Sequence, residues 1–130
     1  MIIDKTLMDT LTRQAQESPR LRMNMDLRNS SADQSQRMLN ALEPGTRLPI
    51  HRHRFSSESL AVIRGSIRQN FYDDEGKLTE SVVVKPGSDI VGIVVEKGRW
   101  HNTESLESGT VIYESKDGAY MPISPEDVME

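Results

Sequence analysis

The sequence predicts a mainly β fold, a single sandwich or barrel, preceded by one amphipathic helix. Three observations carry this. Apolar residues recur at helical spacing near the N-terminus, over residues 4–16. Straight afterwards, residues 20–28 alternate polar and apolar without a slip. From residue 36 onward, short β-prone runs are divided by turn signals, at the spacing of about 8–12 residues that marks all-β sandwiches and barrels.

In the first element Leu7, Leu11 and Ala15 stand four apart, with Ile3 a turn earlier and Met8 beside them. That narrow stripe predicts an amphipathic helix packed on something larger. Thr6 and Asp9 read as a capping pair, and Pro19 closes the segment. The next nine residues, Arg20-Leu21-Arg22-Met23-Asn24-Met25-Asp26-Leu27-Arg28, predict a strand with two unlike faces. Its Met and Leu face belongs to a core, and its Arg, Asn and Asp face meets either solvent or a polar cavity. Glu43-Pro44-Gly45-Thr46, Arg64-Gly65-Ser66 and Lys85-Pro86-Gly87 are turns, and Asp73-Asp74-Glu75-Gly76 is a hairpin loop. Val82–Val84 and Ile90–Val95 are apolar on both faces, which predicts buried strands. Thr110–Tyr113 gives a last strand, and Ser124-Pro125-Glu126-Asp127 starts one helical turn.

At 130 residues the chain has room for one domain. No apolar run approaches the ~18 residues of a membrane span, and the N-terminus lacks the basic-then-apolar layout of a signal peptide. With no cysteine there is no disulfide framework, thiolate zinc site or cysteine nucleophile, and a soluble cytoplasmic protein is expected. Sixteen Lys and Arg against 20 Asp and Glu give a net charge of −4, a poor balance for general nucleic-acid binding. Arg13, Arg20, Arg22, Arg28 and Arg37 nevertheless gather in the first third, as either a solvated face or a surface that receives a phosphate or carboxylate.

All three histidines fall in two places. His51-Arg52-His53 puts two imidazoles on one side of a strand, Glu58 follows after a short turn, and His101 comes after Trp100 and a glycine-bearing turn. Three neutral imidazoles and a carboxylate make a ligand set for a divalent transition metal that leaves positions open for water or substrate.

The spacing Gly45, His51, His53, Glu58, Gly65 resembles the first cupin motif without a departure. The second motif is partial: Gly98 and His101 fit, while Glu96, Ser105 and Ile90 stand where a proline, an asparagine and a glycine are usual. The chain is similar to one cupin branch in particular, the small WbuC-family metalloproteins named after bacterial O-antigen gene clusters. Ser18–Asn24, Gln36–Ala41, Pro44–Thr46, Trp100-His101 and Lys116–Tyr120 carry that likeness. The resemblance implies a single cupin barrel (a double-stranded β-helix, or jelly roll) with an N-terminal amphipathic helix, holding one divalent metal, with Zn, Fe, Mn and Ni all open. The expected layout is residues 1–33 packing on the barrel, 34–123 forming it, and 124–130 as a tail. His51, His53, Glu58 and His101 are the expected ligands. Some of Arg22, Asn24, Arg37 and Asn40, from the family-like stretches, are expected at the pocket mouth, holding an anionic or polyhydroxyl ligand; the alternative is that they make structural hydrogen bonds and salt bridges between the N-terminal segment and the barrel. Trp100 reads as a packing residue, and no general acid or base stands out. Two function classes follow. One is a metal-dependent isomerase, epimerase or lyase acting on a sugar or sugar nucleotide in surface-polysaccharide synthesis, with Fe(II) oxygenase chemistry as a variant. The other is a non-catalytic metal-dependent sensor or binding module. A homodimer is expected, because the helix stripe needs a surface to lie on.

Overall fold

The computed structural model describes residues 1–129. Helix α1 (Lys5–Glu17) precedes strands β1 (Arg22–Asp26), β2 (Ser35–Leu42), β3 (Ile50–His51), β4 (Glu58–Arg64) and β5 (Ile67–Tyr72). Then come β6 (Leu78–Val84), β7 (Gly92–Val95), β8 (Trp100–Ser105) and β9 (Thr110–Asp117), a 3-10 turn at Pro125–Asp127, and β10 (Val128–Met129). Of the expected tail, Glu130 lies outside the described residues. The strands form two five-stranded sheets, ordered β1-β2-β9-β4-β7 and β10-β3-β8-β5-β6. No helix among the described residues is long and apolar enough to cross a membrane.

The helix begins at Asp4, whose carboxylate accepts the Leu7 N–H at 2.9 Å. Aspartate is a stronger N-cap acceptor than threonine, so Thr6 falls inside the first turn. Asp9, expected to pair with it, binds Lys5 and Arg64 instead. Leu11 and Ala15 pack with Leu39, Ala41 and Val111 on the outer face of the first sheet, with Met23 and Met25 alongside. The stripe is therefore covered within one chain and needs no partner surface to lie on.

Strand β1 is shorter than the alternation suggested. Leu21, with φ +55°, bends the chain at its start, and Asp26 turns back at its end to accept both the N–H and the guanidinium of Arg28. The two double-sided apolar runs are also not buried strands. Strands β6 and β7 are the outermost strands of their sheets, and Val83, Ile90, Val91 and Val94 are exposed. Val84 and Val95 are buried on the inner side, while Val83 and Val94, one residue away, point to the uncovered outer face.

The barrel interior is graded. Reading inward positions along β2 gives Leu42, Asn40, Met38, Gln36; along β9, Ile112, Glu114, Lys116; along β4, Val62, Leu60, Glu58. One end joins Leu42, Leu60, Val62 and Ile112 to Ile67 and Val84 of the other sheet in an apolar plug. The other end is polar and open. Gly65 seals the plugged end: at φ +83°, an added Cβ would lie 2.7 Å from the Thr110 Cα.

Candidate metal centre

The two-residue period of an extended chain sorts the segment 51–54. His51 and His53 point into the barrel, while Arg52 and Arg54 both reach Asp127, at 2.8 and 2.6 Å, on the outside. The Arg52 N–H also donates to the Asp127 carbonyl, at 3.0 Å. The 3-10 turn at the C-terminus thus clamps the segment that carries two histidines. His101, on β8, pairs directly with His51. The Gly98 N–H donates to the His53 carbonyl at 2.7 Å, tying the turn before His101 to the loop after His53.

One ring nitrogen from each histidine lies within 4.8 Å of the other two. Carbonyls fix two of the tautomers: His51 Nδ1 donates to Pro49 O at 2.9 Å, and His101 Nδ1 donates to Arg99 O at 2.8 Å. A carbonyl only accepts, so in both neutral rings Nε2 is left with a free lone pair. Burial, reinforced by the neighbouring His101 and His53, pushes His51 down to about 4. Burial lowers His101 as well, against the pull of Glu58. Both are neutral at pH 7, the state that ligates metal. His101 Nε2 is buried with no hydrogen-bond partner. An orphaned buried lone pair carries a desolvation cost, and a cation would relieve it.

Glu58, from the opposite sheet, places its carboxylate 3.4 Å from His53 Nε2 and 4.0 Å from His101 Nε2. Burial works against its ionisation, but the His53 hydrogen bond, His101 and Lys116 outweigh it and hold Glu58 at about 2. Lys116 Nζ lies 3.4 Å from His53 Nδ1. An ammonium only donates, so in the neutral ring Nδ1 accepts from Lys116 and Nε2 faces the Glu58 carboxylate. The residues present fit a divalent metal: three imidazoles and one carboxylate, oriented by carbonyls and a lysine.

The histidines, Glu58 and the polar ends of β2 and β9 line a cavity of about 240 Å³. Arg22, Asn24 and Asn40 line it too, as does Arg20. Neither Arg20 nor Arg22 has an acidic partner within 4.0 Å among the described residues; Arg22 donates instead to the Arg47 carbonyl at 3.1 Å. Arg37 is not part of the wall. Three residues from Asn40 on a strand, it faces the opposite side, where it binds Ser35, the Leu27 carbonyl and Asp33.

The wall also holds a residue missed in the sequence, Glu114. Asn40 Nδ2 donates to its Oε2 at 2.6 Å. Enclosed by protein except toward the cavity, and facing ionised Glu58, it is pushed up to about 8 by burial and then by that charge. At neutral pH one carboxyl of the pair is charged and the other protonated. The signal was present: Ile112, Glu114 and Lys116 continue the inward period beyond Tyr113, where the last strand had been ended.

A family model described as "Domain of unknown function (DUF6016)" matches residues 3–84. No curated protein matches the chain by sequence. Solved structures do. An oxalate oxidase in complex with the substrate analogue glycolate superposes with a TM-score of 0.64 at 19% identity, over 82% of this chain and 56% of that one. The chain thus spans little over half of that relative's length. KdgF from Halomonas sp. gives 0.62 at 14% identity, over 79% of this chain and 83% of the other. The Schizosaccharomyces pombe Cnp3 cupin domain gives 0.60 at 10% identity, over 75% and 64%. These are likenesses of fold, and the fold is the cupin jelly roll.

Proposed function

The chain belongs to the DUF6016 family, and from the centre its cupin barrel builds we propose that it is a divalent-metal protein acting on a small anionic ligand. The observation that carries this reading is the convergence of three histidines, two with free Nε2 lone pairs and one of these buried without a partner, beside a depressed carboxylate. His51, His53, His101 and Glu58 would hold one metal per chain. When bound, the metal supplies a Lewis acid that polarises a ligand oxygen.

The protein's own groups supply the rest. Arg20 and Arg22, without acidic partners, attract a carboxylate or phosphate to the mouth. Asn40 orients the Glu114 carboxyl toward the cavity. Held protonated, Glu114 can donate a proton to a ligand oxygen and take one back, which is the role of a general acid and base. That pairing favours an enzyme over a passive binding module. We further infer a sugar or sugar-nucleotide substrate in surface-polysaccharide synthesis, supported by the resemblance of Ser18–Asn24 and Gln36–Ala41 to the WbuC cupins. We also infer a homodimer, now supported by the exposed apolar residues of β6 and the 90–94 segment rather than by the helix.

The test is a thermal-shift screen of citrate, phosphate and nucleotide sugars on metal-loaded and metal-stripped protein. A ligand at a hundredfold excess over its dissociation constant stabilises by about 2.7 kcal/mol, several degrees for a domain of this size. Anions should shift the loaded protein, Arg22→Ala should abolish the shift, and Arg37→Ala should leave it intact. Equal shifts in all forms would overturn the reading.

A further inference from the structure

The cavity at the triad does not end at Lys116. A second cavity, of about 410 Å³, shares Asn24, Gln36, Met38 and Lys116 with it and adds Asp26, Arg28 and Tyr120. The two meet along the inner side of β1 and β2, where Asn24, Gln36 and Met38 line both. The segment after β9 then folds over this face. Gln36 Nε2 donates to the Gly118 carbonyl at 3.4 Å, and Tyr120, two residues on, forms the outer wall.

The two compartments differ in chemistry. The triad end carries the cations Arg20, Arg22 and Lys116. In the outer compartment the charge is spent: both Asp26 oxygens are taken by Arg28, at 2.8 to 3.0 Å. Apart from Lys116, shared with the triad end, what remains is uncharged. The Asn24 amide is exposed and makes no side-chain hydrogen bond among the described residues. The single hydrogen bond from the Gln36 amide leaves its oxygen able to accept. Tyr120 is 61% exposed. Amides that both donate and accept suit hydroxyl groups, and an open aromatic face offers apolar contact to a ring's C–H edge. Volume points the same way. Alone, the triad cavity falls below the ~300–1,000 Å³ of ordinary ligand pockets, and the second compartment brings the site into that range.

We propose that the outer compartment, walled by Asn24, Gln36 and Tyr120, binds the polyhydroxylated tail of a sugar acid whose carboxylate lies at the histidine triad. This rests on the metal-centre reading and names its substrate class as an elongated sugar acid, a molecule with one charged end and a neutral, hydroxyl-rich end. A second phosphate would meet there only Arg28, already bonded to Asp26, and Lys116, beside His53 and Glu58; this sets sugar acids ahead of sugar nucleotides.

Isothermal titration on metal-loaded protein tests this with two probes: glycolate, a head alone, and D-glucuronate, head plus tail. Glucuronate should bind at least about tenfold tighter. Tyr120→Ala should cut glucuronate affinity about tenfold and leave glycolate unchanged, while Tyr120→Phe, which keeps the ring, should hold it within about twofold. Tyr120 is exposed, so neither variant threatens the fold. Equal affinities in the wild type, or a Tyr120→Ala loss that is the same for both probes, would overturn the proposal. A metal-stripped arm separates this from failure of the metal reading. Amide NMR shifts caused by glucuronate and confined to residues 24–28, 36 and 116–120 would support the compartment even in a chain that takes up no metal. Silence in both forms would overturn it.

Discussion

Glu114→Gln should flatten the pH dependence of stability in the metal-stripped chain. The wild-type carboxyl is pushed up to about 8 in the folded protein, from an ordinary value of 4.5. Between those two values the unfolded chain has released the proton and the folded chain keeps it, so stability falls as pH rises. Each unit is worth about 1.4 kcal/mol, which sets an upper bound of about 5 kcal/mol across the window. The open cavity mouth screens part of this, and about 2–4 kcal/mol is expected. His51 works in the opposite sense. Held at about 4, it adds stability between pH 4 and 6.5, so wild-type data alone mix the two. Comparison with Glu114→Gln, which keeps an acceptor for the Asn40 amide, isolates the carboxyl. Urea unfolding at pH 5, 6, 7 and 8 measures it. The variant should gain on the wild type by that margin from pH 5 to 8, and added divalent metal should shrink the gain by favouring the ionised carboxylate. A wild-type-to-variant difference that stays constant over this range would refute the placement of Glu114 in an enclosed site facing Glu58.

Two further outcomes follow from the fold. Gly65→Ala should cost about 3 kcal/mol or more in urea unfolding, since its Cβ meets the Thr110 backbone at 2.7 Å and φ is +83°. If the barrel pairs through its β6 and β7 edge, light scattering at micromolar concentration should give twice the 14.7 kDa chain mass, and Val94→Lys should return it to the monomer value.

The convergence of His51, His53, His101 and Glu58 on one cavity was legible because an extended strand repeats every two residues and all three histidines fell in two short stretches. The fold class was legible for the same reason: helical and extended periods separate cleanly at Pro19. What the sequence hid was which side of a strand faces what. Arg37 and Asn40 both lie in a family-like stretch, yet opposite parity sends Arg37 to the outside, where it ties down the loop ahead of β2. Val82–Val84 and Ile90–Val95 read as buried on both faces because composition does not reveal that the outer face of a strand is left uncovered. Glu114 was hidden by a strand ended too early. Asp127 was read only as part of a helical turn, because its partners, Arg52 and Arg54, are remote in sequence and neighbours only in the fold.

Elemental analysis of untreated protein decides whether the four side chains hold a metal. Wild type should carry close to one divalent transition metal per chain. His51→Ala and His53→Ala should lose it, singly and together, and Glu58→Gln should lose less, because water replaces a carboxylate most readily. A wild type with no more metal than the double histidine variant would contradict the account.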